Sequence, residues 1–437
     1  MFFNLSNLSD RLTTSTALHT DHYELTMLDA VLRSGIADHR ATFEVLTRHL
    51  PLGRPNGVFC GLGRLLDALD RFVFGPDELE WLAKRQIVSP TAVDWLADYQ
   101  FAGEIYAFRE GELYAAESPV LTVEASFGQA VILETLVLSI LNHDSAIAAA
   151  AEQIVMAAAG RPVIEMGTRR TDDEAAVAAA RAAWIAGFTS TSNLEAGRRY
   201  GLPTAGTAAH AFVLAYPDER AAFAAQVEAY GTDTTLLVDT YDTEAGIRSA
   251  VEVAGPRLAA VRIDSGDLAK EARRARALLD ELGATSTRIV VSGDLDRAAL
   301  LTLADAPVDG YGVGTALVTG DGAPTAGFIY KLVAIADRPD AGGHQRPVAK
   351  LSPGKATVGG RKWAWRLLEE GLATADEIAG DASPPPTPAR PLQVAAVREG
   401  KVVHRPTPQD VRAHYLAARA ELPPGAPLTV ATRGEPA

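Results

Sequence analysis

The sequence predicts an α/β protein: an irregular (β/α) barrel over residues 131–335, with a second α/β domain built from the N- and C-terminal segments. Three observations carry this. In the middle of the chain, short β-rich segments alternate with Ala- and Leu-rich stretches of helical length. Polar residues collect where the strand candidates end. The flanks, 1–130 and 336–437, lose the alternation.

Strand candidates lie at 163–165, 235–239, 260–264, 288–292 and 309–313. Alternating βα units imply a parallel sheet covered on both faces. A helix is expected over 172–186, with Thr171 as N-cap and Glu174 closing a capping box. Another is expected over 268–282, with Leu and Ala on one side and Lys270, Arg273, Arg274 and Arg276 elsewhere, stopping at Gly283. A long apolar helix covers 129–159. About seven units favour a barrel, although a doubly wound sheet would gather ligands at the same strand ends. Past Lys331 the Gly-Gly pairs, LSPGKATVGGRKWAWR and the run SPPPTPAR at 383–390 suggest loops, a small β element and a Pro-rich connection. Residues 336–437 are expected to pack on the N-terminal domain, 1–130.

A chain of 437 residues, 47% apolar and 22% charged, suits a soluble protein of two domains. The formal charge of −14, with no dense Lys/Arg block, argues against nucleic acid. A single cysteine, Cys60, excludes an intramolecular disulfide and a cysteine zinc cluster, and reads as a small buried apolar residue. No basic n-region precedes an apolar run at the N-terminus, and nowhere do eighteen apolar residues follow one another, so a cytoplasmic protein with no membrane partner is expected.

Three segments end in polar residues: GFTSTSNLEAGRRYGLPTAGTAAH, VRIDSGDL and DGYGVGTALVTGDG. Together they read as one phosphate-handling site. Glu165, the cluster at 190–193, His210, Asp239, Asp264, Ser292, Asp294 and the run 312–315 all fall near strand ends, where βα barrels build active sites. Gly312 and Gly314 would expose backbone N–H groups and Thr315 would add a hydroxyl, which suits a phosphate; a Gly-rich turn after a strand would look the same. Arg262 and Asp264 alternate along one strand and should share a face. Asp267 either joins them or caps the following helix, and Ser192 and Asn193 either meet an anion or cap theirs. Of Arg169 and Arg170, one could grip a carboxylate and the other, more readily Arg170, would form a structural salt bridge.

TDHYELTML, FEVLTRHLP, EMGTRR, TSNLEAGRRYGLPTAGTAAHAFV, RIDSGDL and GVGTALVT occur in order from about residue 20 to 362, and this series resembles nicotinate phosphoribosyltransferase. The resemblance implies a barrel of the type II phosphoribosyltransferase kind. It implies an enzyme of NAD salvage that joins nicotinate to 5-phosphoribosyl 1-diphosphate, releases diphosphate and couples the step to ATP. His210, in GTAAHAFV, matches the family's phosphorylated histidine, and Arg262 with Asp264 would serve catalysis. Asp264 would face the ribose or a magnesium ion carried by the diphosphate. Arg169 would lie beside the pyridine ring, with Tyr23 of a partner subunit stacked on it, in a homodimer whose sites lie at the subunit interface. Met166 stands where the related nicotinamide enzyme carries an aromatic residue. Ser192, Asn193, Ser265, Gly293, Gly312, Gly314 and Thr315 complete the substrate set. Lys350, Lys355, Arg361 and Lys362 form a basic group that either approaches the site or is a solvated surface. STSN departs from the usual glycine-containing form of that motif, and the tail past about residue 364 is unmatched. The rivals are a nicotinamide or quinolinate enzyme of the same fold, and a non-catalytic phosphosugar-binding protein.

Overall fold

The computed structural model describes residues 14–51, 53–339, 344–351, 358–381, 383–422 and 427–433. They form two compact units, Ile147–Pro324 and Met1–Ala146 with Thr325–Ala437. The first of these carries most of the polar strand ends.

In Ile147–Pro324 the strands are β1 (Val163–Glu165), β2 (Ser190–Thr191), β3 (Thr235–Leu237), β4 (Ala260–Ile263), β5 (Arg288–Val291) and β6 (Gly310–Val313). All pair in parallel, in the order β2-β1-β6-β5-β4-β3. The last strand returns to pair with the first, Tyr311 opposite Val163 and Val313 opposite Glu165. That circular order belongs to a barrel and excludes a doubly wound sheet, whose order reverses in the middle. The wall is incomplete: beyond β2 only an isolated parallel bridge from Thr191 to Thr204 continues it, so six strands and a bridge replace the seven expected units.

Val163, Leu236, Leu237, Val261, Ile263, Ile289, Val291, Tyr311 and Val313 are buried along the strands, as a sheet covered on both faces requires. Helix Asp173–Ile185 packs a nearly unbroken run of buried alanines, and Leu268–Glu281 buries Ala272, Ala275, Leu278 and Leu279. The cap of Asp173–Ile185 is Asp172, whose carboxylate accepts from the Glu174 and Ala175 amides. Thr171 lies one residue outside it. A carboxylate with two acceptor oxygens directly before the first turn displaces the expected capping box.

The other unit is mainly antiparallel. Its seven-stranded sheet runs Arg346–Pro347, Phe328–Ile335, Arg40–Thr47, Leu121–Ser126, Glu104–Phe108, Gln393–Arg398 and Lys401–Val402. Phe328–Ile335 pairs along Arg40–Thr47 over its whole length, so the segment that the sequence reading ran into the barrel belongs here. Phe328, Tyr330 and Ile335 join the core of Leu25, Phe43, Leu66 and Val123, so this largely apolar strand serves an antiparallel sheet packed on that core. The Pro-rich run ends in the edge strand Ala389–Pro391, which pairs with Lys362–Glu369. Edge positions tolerate proline because they leave one side of the ladder unused.

The long helix expected over 129–159 breaks at Ile132 and Leu133 into Phe127–Val131 and Glu134–Ala157. By length and composition this stretch could cross a membrane, but Leu133, Leu136, Val137 and Leu141 are buried in the protein core. Cys60 is buried, as its apolar reading anticipates.

Candidate active site

Three adjacent strand ends build the centre of the site. Arg262 on β4 and Asp264 just past it share a face, as their spacing requires, and the guanidinium donates to Asp264 Oδ1 at 2.7 Å. Arg262 Nε also donates to Ser292 Oγ at 2.7 Å, beyond β5, and Nη1 to Thr207 Oγ1 at 2.9 Å. Ser292 in turn donates to Asp264 Oδ1. Burial raises the Asp264 carboxyl, but hydrogen bonds from Ser292 and Arg262 and the Arg262 charge outweigh it, so the group lies below its ordinary value. It is an anion at neutral pH. Its Oδ1 is engaged twice, while Oδ2 has no partner among the described residues.

Asp239, one strand over, accepts the Asp264 amide at 2.8 Å and the Ser265 hydroxyl at 2.6 Å through Oδ2. Ser265 is thereby held by Asp239. The Asp239 side chain is only 1% exposed, yet its Oδ1 lacks a hydrogen bond. The His210 imidazole faces that oxygen, Nε2 to Oδ1 at 3.9 Å, and its Nδ1 lies 3.2 Å from Thr240 Oγ1. His210, expected near the end of a strand, begins the short helix His210–Leu214, and its side chain is 40% exposed. The incomplete wall after Thr204 leaves no strand partner there, so the segment turns into a helix. An exposed ring with its base fixed by an acid and a hydroxyl can act as a nucleophile or base.

Gly293 has φ +108°, and a Cβ there would lie 2.4 Å from the Asp264 carbonyl oxygen. Only glycine lets the β4 and β5 ends approach this closely. Gly312 is a buried residue inside β6, not part of an open loop, and a Cβ on it would meet Met166 Sδ at 2.6 Å. The thioether thus occupies the space that the missing side chain leaves. Of the GVGT run, Gly314 caps the single turn Thr315–Val318, and the exposed Thr315 opens it.

At the end of β1, Glu165 is buried and accepts the Gly167 amide and the Thr191 hydroxyl. Burial raises its carboxyl, with those hydrogen bonds opposing. It braces β1 against β2. Arg169 and Arg170 follow in the turn Thr168–Arg170, both exposed. The structural salt bridge expected of Arg170 is absent: neither guanidinium has an ion pair or hydrogen bond among the described residues. Asn193 caps Leu194–Tyr200, accepting from the Ala196 amide at 2.8 Å, and its Nδ2 donates to Thr168, so its amide is committed. Ser192 beside it is exposed. Asp267 caps Leu268–Glu281 through the Lys270 amide.

Tyr23 lies in the other unit, on helix His22–Ser34, 45% exposed. Burial, then the Glu134 and Glu24 carboxylates, hold its phenol above the usual range. Arg361 and Lys362 are also there. Arg361 pairs with Glu124 between the rings of Tyr106 and Trp363, and Lys362 pairs with Glu44 at 2.6 Å. Both are structural ion pairs. Lys350 is exposed, and Lys355 lies outside the described residues.

Asp239 and Ser292 were read from the sequence as polar residues at strand ends but given no role, and Thr207 and Thr240 were not singled out; the position of Asp239 and Ser292 on the strands either side of Asp264 was the available signal.

Comparison with known proteins gives this arrangement a family. Residues 18–142 match the nicotinate phosphoribosyltransferase N-terminal domain, and 147–321 match the quinolinate phosphoribosyl transferase C-terminal domain. Nicotinate phosphoribosyltransferase pncB1 of Mycobacterium tuberculosis is 54% identical over 397 residues, 88% of this chain and 86% of that protein. The nicotinate phosphoribosyltransferase of Bacillus subtilis is 38% identical over 82% of this chain and 74% of its own. The fold is shared with human nicotinic acid phosphoribosyltransferase, at a TM-score of 0.80 and 24% identity over 95% of this chain and 97% of that one. It is also shared with nicotinate-nucleotide pyrophosphorylase from Pyrococcus furiosus, at 0.78 and 24% over 96% and 98%. With more than half of the aligned residues identical to a curated relative across most of both lengths, the chain belongs to the nicotinate phosphoribosyltransferase family.

Proposed function

We propose that this enzyme forms nicotinate mononucleotide from nicotinate and 5-phosphoribosyl 1-diphosphate and couples the transfer to ATP through His210. Breaking the bond at the anomeric carbon develops positive charge on the ribose and negative charge on the leaving diphosphate. Catalysis is then chiefly positioning and charge stabilisation. Asp264, held anionic by Arg262 and Ser292, has a free oxygen for the ribose side. Arg262 supplies the compensating cation. No set of three His, Cys, Asp or Glu side chains converges on a metal position among the described residues. One free carboxylate oxygen suits a magnesium ion that arrives with the diphosphate and keeps most of its ligands from phosphate and water, and Asp264 would hold it. Such an ion would neutralise the leaving group.

Arg169, exposed and unpaired at the end of β1, supports recognition of the nicotinate carboxylate. Met166 would give the pyridine an apolar surface, and Thr315 with Ser192 would meet phosphate oxygens. Tyr23 of the partner subunit would close the site in a homodimer. Activity regained by mixing inactive Tyr23→Ala and His210→Ala chains would support that arrangement, and no recovery despite subunit exchange would refute it.

The single observation that carries the ATP coupling is the part-exposed His210 ring, with the unpaired Asp239 Oδ1 facing Nε2 and the Thr240 hydroxyl facing Nδ1. A ring nitrogen attacking the γ-phosphorus of ATP would yield phosphohistidine and ADP. Incubation with γ-labelled ATP should leave acid-labile, base-stable label on His210, and His210→Ala should lose both label and ATP stimulation of mononucleotide synthesis. Retained ATP stimulation in a folded His210→Ala would refute the coupling.

A further inference from the structure

Beside the Asp239 and Thr240 turn lies a carboxyl that none of these steps uses. Glu219 is the first residue of helix Glu219–Tyr230, a place where a glutamate gains from the helix dipole while remaining in water. Its side chain is instead turned inward, and the residue is 8% exposed. Capping does not explain this, because Asp218 already accepts the Ala221 amide at 2.8 Å. Glu219 faces the Thr240 backbone amide, and its Oε1 is buried without a hydrogen bond. Burial first, then the charges of Asp239 and Asp242, push its carboxyl up to about 6, against the Thr240 amide.

Two buried carboxyls in one neighbourhood, Glu219 and Asp239, each with an orphan oxygen, are costly in a protein interior. Asp239 borders the His210 ring directly, and Glu219 reaches it through Thr240. Asp239 faces Nε2, and Glu219 meets the backbone of Thr240, whose hydroxyl faces Nδ1.

We propose that Glu219 is a positioning residue for His210: it holds the turn at Asp239 and Thr240 so that the carboxylate and the hydroxyl stay against the imidazole. The inference rests on the reading of His210 as the phosphoryl acceptor. It assigns no contact of Glu219 with substrate.

Two variants test it in the full-length chain. Glu219→Met keeps the volume and removes the acceptor, whereas Glu219→Gln keeps volume and an acceptor oxygen and removes the charge. The first readout is the pair of imidazole ¹⁵N shifts of His210, assigned with His210→Gln. They should move in Glu219→Met and return close to the unmutated values in Glu219→Gln. The second readout is phosphoryl transfer from γ-labelled ATP, which should slow about tenfold in Glu219→Met and recover to within about threefold in Glu219→Gln, with the nicotinate KM held within about twofold.

Unmoved His210 shifts in folded Glu219→Met overturn the proposal, as does a loss that Glu219→Gln fails to rescue. If Glu219→Met does not fold, Glu219→Asp, which withdraws the acceptor by one methylene, carries the same test. Absence of label on His210 in the unmutated chain would overturn the ATP reading alone. The shifts would still decide the role of Glu219.

Discussion

Around Glu112 and around Asp239 the protein buries carboxylates in opposite ways. Glu112 Oε1 accepts Arg366, Arg390 and the Leu113 amide, and Oε2 accepts Arg390 and His414. Arg366, itself fully buried, gives three more donors to both Asp376 oxygens and the Leu113 carbonyl. Although burial opposes ionisation, His414, Arg390 and Arg366 bring the Glu112 carboxyl down to about 2. At the barrel site, by contrast, Asp239 Oδ1 and Glu219 Oε1 are unpaired, and Arg169 stands without a partner among the described residues. A saturated network joins strands to helices. An unsaturated one leaves polar groups open beside the strand ends.

That contrast predicts different costs for similar substitutions. The largest is Arg262→Met, which should lower kcat/KM on the order of 10³-fold, about 4 kcal/mol, with a smaller loss of stability than Arg366→Met. Thermal unfolding and steady-state kinetics on the same preparations check this, and equal destabilisation by both would erase the distinction. Arg366→Met should cost about 3–5 kcal/mol of stability in urea, because it strands Glu112 and Asp376, with activity per folded molecule unchanged. Arg169→Ala should weaken nicotinate by about 2–3 kcal/mol and leave 5-phosphoribosyl 1-diphosphate unaffected. Equal losses for both ligands would make it a structural arginine.

The smallest effect is a difference in the sign of pH dependence. Glu112 titrates below its unfolded value, so its contribution to stability is present above roughly pH 4.3 and is lost as pH falls toward about 2. Glu219 titrates above its unfolded value, so its contribution is present below roughly pH 4.3 and is lost as pH rises through about 6. Urea midpoints across this range should therefore lose an acid-side decline in Glu112→Gln and a decline between about pH 4.3 and 6 in Glu219→Gln. A single slope removed by both variants would contradict the assignment.

Local patterns carried much of this architecture. β1 was legible to the residue because Val163 to Glu165 is a short apolar run between Pro162 and a Gly-containing turn, and the common face of Arg262 and Asp264 followed from the two-residue period of a strand. The Gly283 stop was likewise written in adjacent residues, and of the two readings left open for Asp267 the structure takes the cap. What the sequence hid depends on distant partners. Thr207 meets Arg262 across 55 positions, and Gly312 is glycine because Met166, far earlier in the chain, needs its space. Glu219 reads as an ordinary first-turn glutamate, and nothing near it reveals the inward turn. The barrel was drawn to residue 335, past its observed end, because an apolar segment such as Phe328–Ile335 does not reveal its partner, Arg40–Thr47.

The return of β6 to β1 sets an order of assembly. Arg169 and Met166 leave the ribosome early, but Gly312, which packs on Met166, and Thr315 follow well over a hundred residues later. Then Phe328–Ile335 must find Arg40–Thr47, closing a sheet begun before the barrel was made. Pairings this distant in sequence make folding slow and leave strand edges open while synthesis continues. A nascent chain stopped before Gly310 already carries His210, Arg262 and Asp264, on a wall that still lacks the strand joining β5 to β1.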